Sequence, residues 1–216
     1  AEYNGYEITP VLNELIRDEQ TIYFDNYYQQ IGSGNTSDAE FASNNSLIGS
    51  YESYTYQLFE NNYFRGLPWL LKDIGYSTQV FHGYDKNFWN RVNIYPQLGF
   101  DRYYNADDFV SDNIEGIGGG NITGISDSAF FEQTADYLEG LSQPYYAFIN
   151  TLSNHNPFGL PDYMKEIPVQ PEHEGTLLGN YVNSIHYADK CIGEFYKELK
   201  ERGLYDNSII VMYGDH

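Results

Sequence analysis

The stretch GLPWLLKDIGYSTQVFHG, residues 66–83, decides the reading of the fold. Residues 66–75 read as a short helix that Gly75 ends, and residues 76–83 read as the strand that follows it. The same alternation recurs along the chain. In ITPVLNELIRDE, Thr9 stands as an N-cap and Pro10 at the first helical position, with Val11, Leu12, Leu15 and Ile16 on one face. TIYFDNYY (21–28) is an aromatic, β-branched strand candidate. IGSGNTSDAEF is a polar turn leading into a helix, where Ser37 and Glu40 match a capping box and Thr36 falls at or just before the N-terminus. Residues 84–125 read mostly as loop and close on the glycine-rich run 116–124. A helix is expected over 127–141, and a buried strand over PYYAFINTL (144–152). The longest helix is expected over 177–201. There Leu178, Tyr181, Ile185, Ala188, Ile192, Phe195 and Leu199 form a stripe that suits packing on a sheet better than a coiled-coil seam. NSIIVMYGDH (207–216) reads as a near-continuous apolar strand. Apolar strands separated by helices imply βαβ units. The expected class is α/β, one domain with a largely parallel sheet flanked by helices.

Composition narrows what such a fold can serve. With 216 residues the chain fits one large domain or part of one. Hydrophobic residues at 41% and aromatics at 18% supply a packed core. The 31 acidic residues against 11 Lys and Arg leave a net charge of −20, which repels phosphate backbones and argues against nucleic acid as a partner. The same charge argues against simple electrostatic docking on an anionic bilayer. Nowhere do apolar residues run long enough to span a membrane. Cys191, the single cysteine, cannot form an internal disulfide.

The chemistry-bearing residues collect at strand ends. His82, His155 and His216 each follow a predicted strand, and Asp215 adjoins the last. In open parallel sheets ligands bind at the carboxyl ends of the strands, so these imidazoles and the carboxylate suit a divalent-metal and oxyanion site for Zn²⁺ or Mn²⁺. His173 and His186 lack that placement and are expected to have no site role. Thr36, at a helix N-terminus behind glycines, lies where free N–H groups attract anions; its hydroxyl is either a cap or a metal-activated nucleophile. In FWNR (88–91), Arg91 has the fork that grips a phosphate and Trp89 can wall off a polyol. The plainer reading of that tetrapeptide is an aromatic anchor beside a surface arginine.

Taken together, GNTSDAEF (34–41), FHGYDKNFWNR (81–91), TLSNHNPF (151–158) and LYDNSIIVMYGDH (204–216) resemble the lipoteichoic acid synthases of the sulfatase and alkaline-phosphatase-like superfamily. EITPVLNELI, YFDNYYQQIG and YPQLGFDRYYNADDF resemble that family's connecting segments, so the likeness runs from about Glu7 to His216. The resemblance implies Thr36 as nucleophile and metal ligand, Asp215 and His216 as metal ligands, and His82, Trp89, Arg91 and His155 as residues lining the glycerophosphate pocket. It implies Mn²⁺ as the cofactor, with Mg²⁺ or Zn²⁺ as alternatives. The reaction implied moves glycerol phosphate from phosphatidylglycerol to a growing polyglycerophosphate chain, with His155 or His82 as acid and base. A membrane-anchored catalytic domain on the extracellular face, or its released form, is the implied location. A hydrolase of the same superfamily and a silent polymer-binding module are the competing readings. Asn35 stands where relatives usually carry Lys. The family's remaining metal ligand, a Glu ending the first strand, is expected upstream of residue 1, and closing elements are expected beyond His216. Residues 1–216 are therefore expected to be part of a single sulfatase-like catalytic domain.

Overall fold

In the computed structural model, which describes residues 1–114, 117 and 125–216, the order begins β1 (Glu2–Tyr3), β2 (Tyr6–Glu7), α1 (Pro10–Arg17), α2 (Thr36–Asn45), α3 (Thr55–Leu58) and α4 (Leu67–Asp73). It continues with β3 (Ser77–Phe81), α5 (Arg91–Leu98), β4 (Arg102–Tyr104), α6 (Asp127–Glu139), β5 (Tyr145–Ile149) and α7 (Leu177–Glu201). The chain gathers into two compact units. One comprises Asp25–Asp107, Gly140–Asn150 and Ile209–His216; the other comprises Ala1–Phe24, Asp108–Glu139 and Thr151–Ser208.

The first unit holds the parallel sheet, in the order β4-β3-β5. Gln79, Val80 and Phe81 pair with Arg102, Tyr103 and Tyr104 on one side, and with Ala147, Phe148 and Ile149 on the other. Central β3 is buried almost throughout, and α4 and α5 pack against this sheet. Local chemistry delivers the chain to β3. Pro68 opens α4, and beyond its end Gly75 turns at φ +93°, with Gly75 N–H donating to Lys72 O (3.0 Å) and Tyr76 N–H to Leu71 O (3.1 Å). Phe41, Tyr56, Val80, Ile94, Tyr95, Leu98 and Phe100 form the core, bringing α2, α3 and α5 onto the sheet.

Among its described residues the other unit is helical, apart from the small antiparallel pair β1-β2. Helix α7 spans the residues expected of it, capped by Thr176 and closed past Arg202 by Gly203. Its main partners are α6 and α1, so it packs on helices where a sheet was expected. The buried face is also rotated from the expected stripe. Val182, Tyr187 and Cys191 are buried with Phe195 and Leu199, whereas Leu178 and Tyr181 are exposed. Asp189 belongs to the buried face because its carboxylate accepts from the N–H groups of Val11 and Leu12, both at 2.9 Å. Those are orphan donors of the α1 N-terminus, where Thr9 makes no side-chain cap bond.

Other expectations are corrected. TIYFDNYY forms no strand; Ile22 and Phe24 are 81% and 73% exposed. NSIIVMYGDH forms no strand either, with Ile209 95% exposed. An apolar run becomes a strand only where a neighbour completes its ladder, and neither run has one among the described residues. The region read as loop after residue 84 contains α5 and β4, because Pro96 is accommodated within α5 and Tyr95 and Leu98 are drawn into the core. The glycine-rich run 116–124 lies, apart from Ile117, outside the described residues. Among the described residues no helix is long and apolar enough to cross a membrane.

Candidate active site

Thr36 is the first residue of α2 and half-buried, and the turn before it is held by Asp38. Asp38 Oδ2 accepts from the N–H of Gly32 (3.0 Å) and of Gly34 (2.8 Å), while Ser37 Oγ donates to Gly34 O at 2.8 Å. Gly34 is required by this closeness, since a Cβ there would stand 2.6 Å from both Asp38 Oδ1 and Ser37 Oγ. The expected capping box does not form. Asn35 is the N-cap, at φ 44°, and Glu40 turns inward to partners far along the chain.

The same unit carries His216 and Asp215 to this helix end. His216 Nε2 lies 3.2 Å from Thr36 Oγ1, and Asp215 Oδ2 lies 3.7 Å from His216 Nε2. Segment 209–216 is tied to α2 without any strand: Tyr213 Oη donates to Ser43 Oγ at 2.7 Å, and the Tyr213 ring meets that of Tyr27 at 6.0 Å. Burial pushes the Tyr213 phenol up to about 12, so it stays a donor at neutral pH.

His82 caps β3 as expected and is buried. Its Nδ1 sits 3.0 Å from Asn150 O. A carbonyl can only accept, so Nδ1 carries the proton there. Trp89 adopts φ 57°, uncommon outside glycine, and its ring meets Tyr54 edge-on at 4.6 Å.

Arg91 is no surface residue; it is 2% exposed. Its Nε and Nη2 donate to Glu40 Oε1 at 3.1 and 2.8 Å. Burial acts to lower the Arg91 pKa, but Glu40 and the Tyr95 and Tyr103 hydroxyls raise it overall. Among the described residues, buried Arg91 Nη1 has no hydrogen-bond partner.

His155 lies in the helical unit, exposed on the loop beyond β5, with Nδ1 2.7 Å from Asn156 O. That loop is pinned by buried Asp127, whose Oδ1 accepts from Leu152 N–H and Ser153 N–H, both at 3.0 Å. Of the three histidines expected at strand ends, His82 alone directly follows a strand. His173 and His186 are engaged elsewhere, with Tyr3 Oη at 2.6 Å and Ile8 O at 3.0 Å.

Among the described residues no group of three or more His, Cys, Asp and Glu side chains is arranged to hold a metal ion. With Thr36 as third donor, the hydroxyl, imidazole and carboxylate of Thr36, His216 and Asp215 make a set that suits a borderline divalent cation. Sequence reasoning missed Glu40, Asn150 and Tyr213. Glu40 stands four positions after Thr36, one helical turn on the same face, and that spacing was legible.

The parallel sheet, served by a helix that opens on half-buried Thr36 with Asp215 and His216 beside its hydroxyl, is an α/β architecture of the alkaline-phosphatase-like class. The sequence pattern of the Sulfatase family matches residues 1–216, and the chain belongs to that family. Within it, the chain is 39% identical to lipoteichoic acid synthase 2 of Bacillus subtilis over 215 residues, 99% of this chain and 32% of that protein. The crystal structure of the lipoteichoic acid synthase LtaP from Listeria monocytogenes superposes with a TM-score of 0.87 at 34% identity, over 95% of this chain and 49% of that one. A Vibrio parahaemolyticus protein of the alkaline phosphatase superfamily shares the fold, with a TM-score of 0.71 at 22% identity over 93% of this chain and 46% of that one. The chain thus spans about a third of the curated relative's length and half of each solved chain.

Proposed function

We propose that residues 1–216 are part of a single catalytic domain of a phosphoglycerol transferase of the lipoteichoic acid synthase type, with Thr36 as nucleophile. The observation that carries this reading is the meeting of Thr36, His216 and Asp215 across 180 positions of sequence. The likeness to lipoteichoic acid synthases supports the donor and acceptor class.

In the first step the Thr36 oxygen forms a bond to the phosphorus of phosphatidylglycerol, and the bond from phosphorus to the diacylglycerol oxygen breaks. The Thr36 proton is released to water, and the His82 imidazolium protonates the departing oxygen. In the second step the terminal hydroxyl of a polyglycerophosphate chain attacks phosphorus and gives its proton to the same imidazole, while the bond from phosphorus to Thr36 breaks and the Thr36 oxygen takes a proton back from water. His216 orients the Thr36 hydroxyl from 3.2 Å. Arg91, whose Nη1 has no hydrogen-bond partner among the described residues, would offer its guanidinium to a phosphate oxygen, and Trp89 would wall the glycerol. A divalent cation, Mn²⁺ first with Mg²⁺ or Zn²⁺ as alternatives, would be held by Thr36, Asp215 and His216 and would supply positive charge that lowers the hydroxyl pKa. The domain would face the outside of the cell membrane, where its lipid donor lies.

Incubation with phosphatidylglycerol and Mn²⁺ followed by peptide mass spectrometry tests the reading. A glycerophosphoryl adduct on Thr36 is expected, absent from Thr36→Ala and abolished by chelator. Release of free glycerol phosphate in place of oligomers would make the protein a hydrolase. An unmodified Thr36 with intact lipid would overturn the catalytic reading in favour of polymer binding.

A further inference from the structure

Glu40 lies one turn along α2 from Thr36, with its side chain only 3% exposed. Its carboxylate is enclosed by donors from three places in the sequence. Oε1 accepts from Arg91 Nε (3.1 Å), Arg91 Nη2 (2.8 Å) and Asn150 Nδ2 (2.9 Å), and Oε2 accepts from Tyr95 Oη (3.0 Å). Arg91 and Tyr95 belong to α5, and Asn150 follows β5. Asn150 is a two-sided relay. Its amide holds Glu40, while its backbone oxygen accepts a hydrogen bond from His82 Nδ1–H at 3.0 Å and its N–H continues the sheet to Phe81 O at 2.9 Å. One carboxylate therefore joins the helix that begins with Thr36 to the guanidinium of Arg91 and, through Asn150, to the imidazole of His82.

A buried carboxylate with four donors is geometrically fixed, because moving any donor leaves a charge short of a partner in a medium that screens poorly. Glu40 also occupies the Nε–Nη2 edge of Arg91, which decides that Nη1 is the nitrogen left for another acceptor. We propose that Glu40 is the positioning residue of this site, setting the orientation of Arg91 directly and of His82 through Asn150. The proposal rests on the Thr36 reading for its catalytic consequence, but the wiring itself is readable without catalysis.

Two variants and two readouts test it. Asn150→Ala cuts the relay while leaving the Arg91–Glu40 pair intact, and Glu40→Gln removes the charge. Each is compared with the parent protein by the ¹⁵N shifts of the His82 ring and by steady-state transfer from phosphatidylglycerol vesicles with Mn²⁺. The expected result for Asn150→Ala is a folded protein whose His82 Nδ1–H signature weakens and whose kcat falls about tenfold with KM little changed, the scale typical of outer-shell partners. If Glu40→Gln fails to fold, Asn150→Ala alone decides. Unchanged His82 shifts and unchanged kcat in a folded Asn150→Ala protein would overturn the proposal. Should the parent protein transfer nothing, the transferase reading falls by itself. The His82 shifts then still decide the wiring, altered shifts supporting it and identical shifts overturning it.

Discussion

Individual side chains in the helical unit carry two sharp expectations. Asp127 is fully buried at the start of α6, and burial raises its pKa against the opposing pull of the Leu152 and Ser153 N–H groups. A carboxyl group whose folded pKa exceeds its unfolded value binds protons more readily in the folded state. Its contribution is therefore most favourable below the ordinary aspartate range and shrinks as pH rises through the raised value. Asp127→Asn keeps an oxygen for both N–H donors and removes this term. Urea unfolding from pH 4 to 7 is expected to show a flatter pH dependence in the variant and a relative gain at the upper end. Nearby, burial first and Asp127 second push the Cys191 thiol up to about 12. At pH 8 the native protein is expected to leave Cys191 unmodified by a disulfide-exchange reagent over minutes, with full reaction in denaturant. Fast labelling of the native protein would show that the α7 face opens readily.

Elements owe their places to contacts far along the chain. In α7, Phe195 stacks on Phe131 of α6 at 4.5 Å, while Leu178 on the same helix is exposed. Phe195→Ala is expected to cost about 3–5 kcal/mol and Leu178→Ala less than about 1 kcal/mol, read by denaturant midpoint. Equal costs would restore the stripe read from the sequence. Segment 209–216 depends on the bond from Tyr213 to Ser43. Tyr213→Phe keeps the ring contact with Tyr27 and loses about 1 kcal/mol of hydrogen bonding. Hydrogen exchange at 209–216 is expected to speed up severalfold, and formation of the Thr36 adduct to slow, because Asp215 and His216 are presented by this segment.

At the scale of the molecule, charge is the dominant feature. A net −20 over 216 residues repels itself, and salt near 0.15 M, with a Debye length of about 8 Å, screens most of that. Raising ionic strength from very low values is expected to add about 1 kcal/mol, or roughly 2–4 °C in thermal midpoint at this length. A midpoint insensitive to salt would mean that the acids are already locally compensated, as Glu40 and Glu166 are by Arg91 and Lys190.

The sequence by itself determined what depends on near neighbours. Helices α1, α4 and α7 were legible because their hydrogen bonds span four residues and their ends carry Pro10, Gly75 and Gly203. Thr36, Asp215 and His216 stood out in the sequence by residue type, and the fold brings the three side chains together. Tertiary structure alone decided whether an apolar run becomes a strand. A ladder needs a partner strand, which STQVF has in RYY and YYAFI and IIVMY lacks among the described residues. It also decided that Glu40 answers Arg91, 51 positions away, and not its own helix end. A buried charge takes whichever partner packing brings to it, and that partner is set by the fold and not by the spacing along the chain.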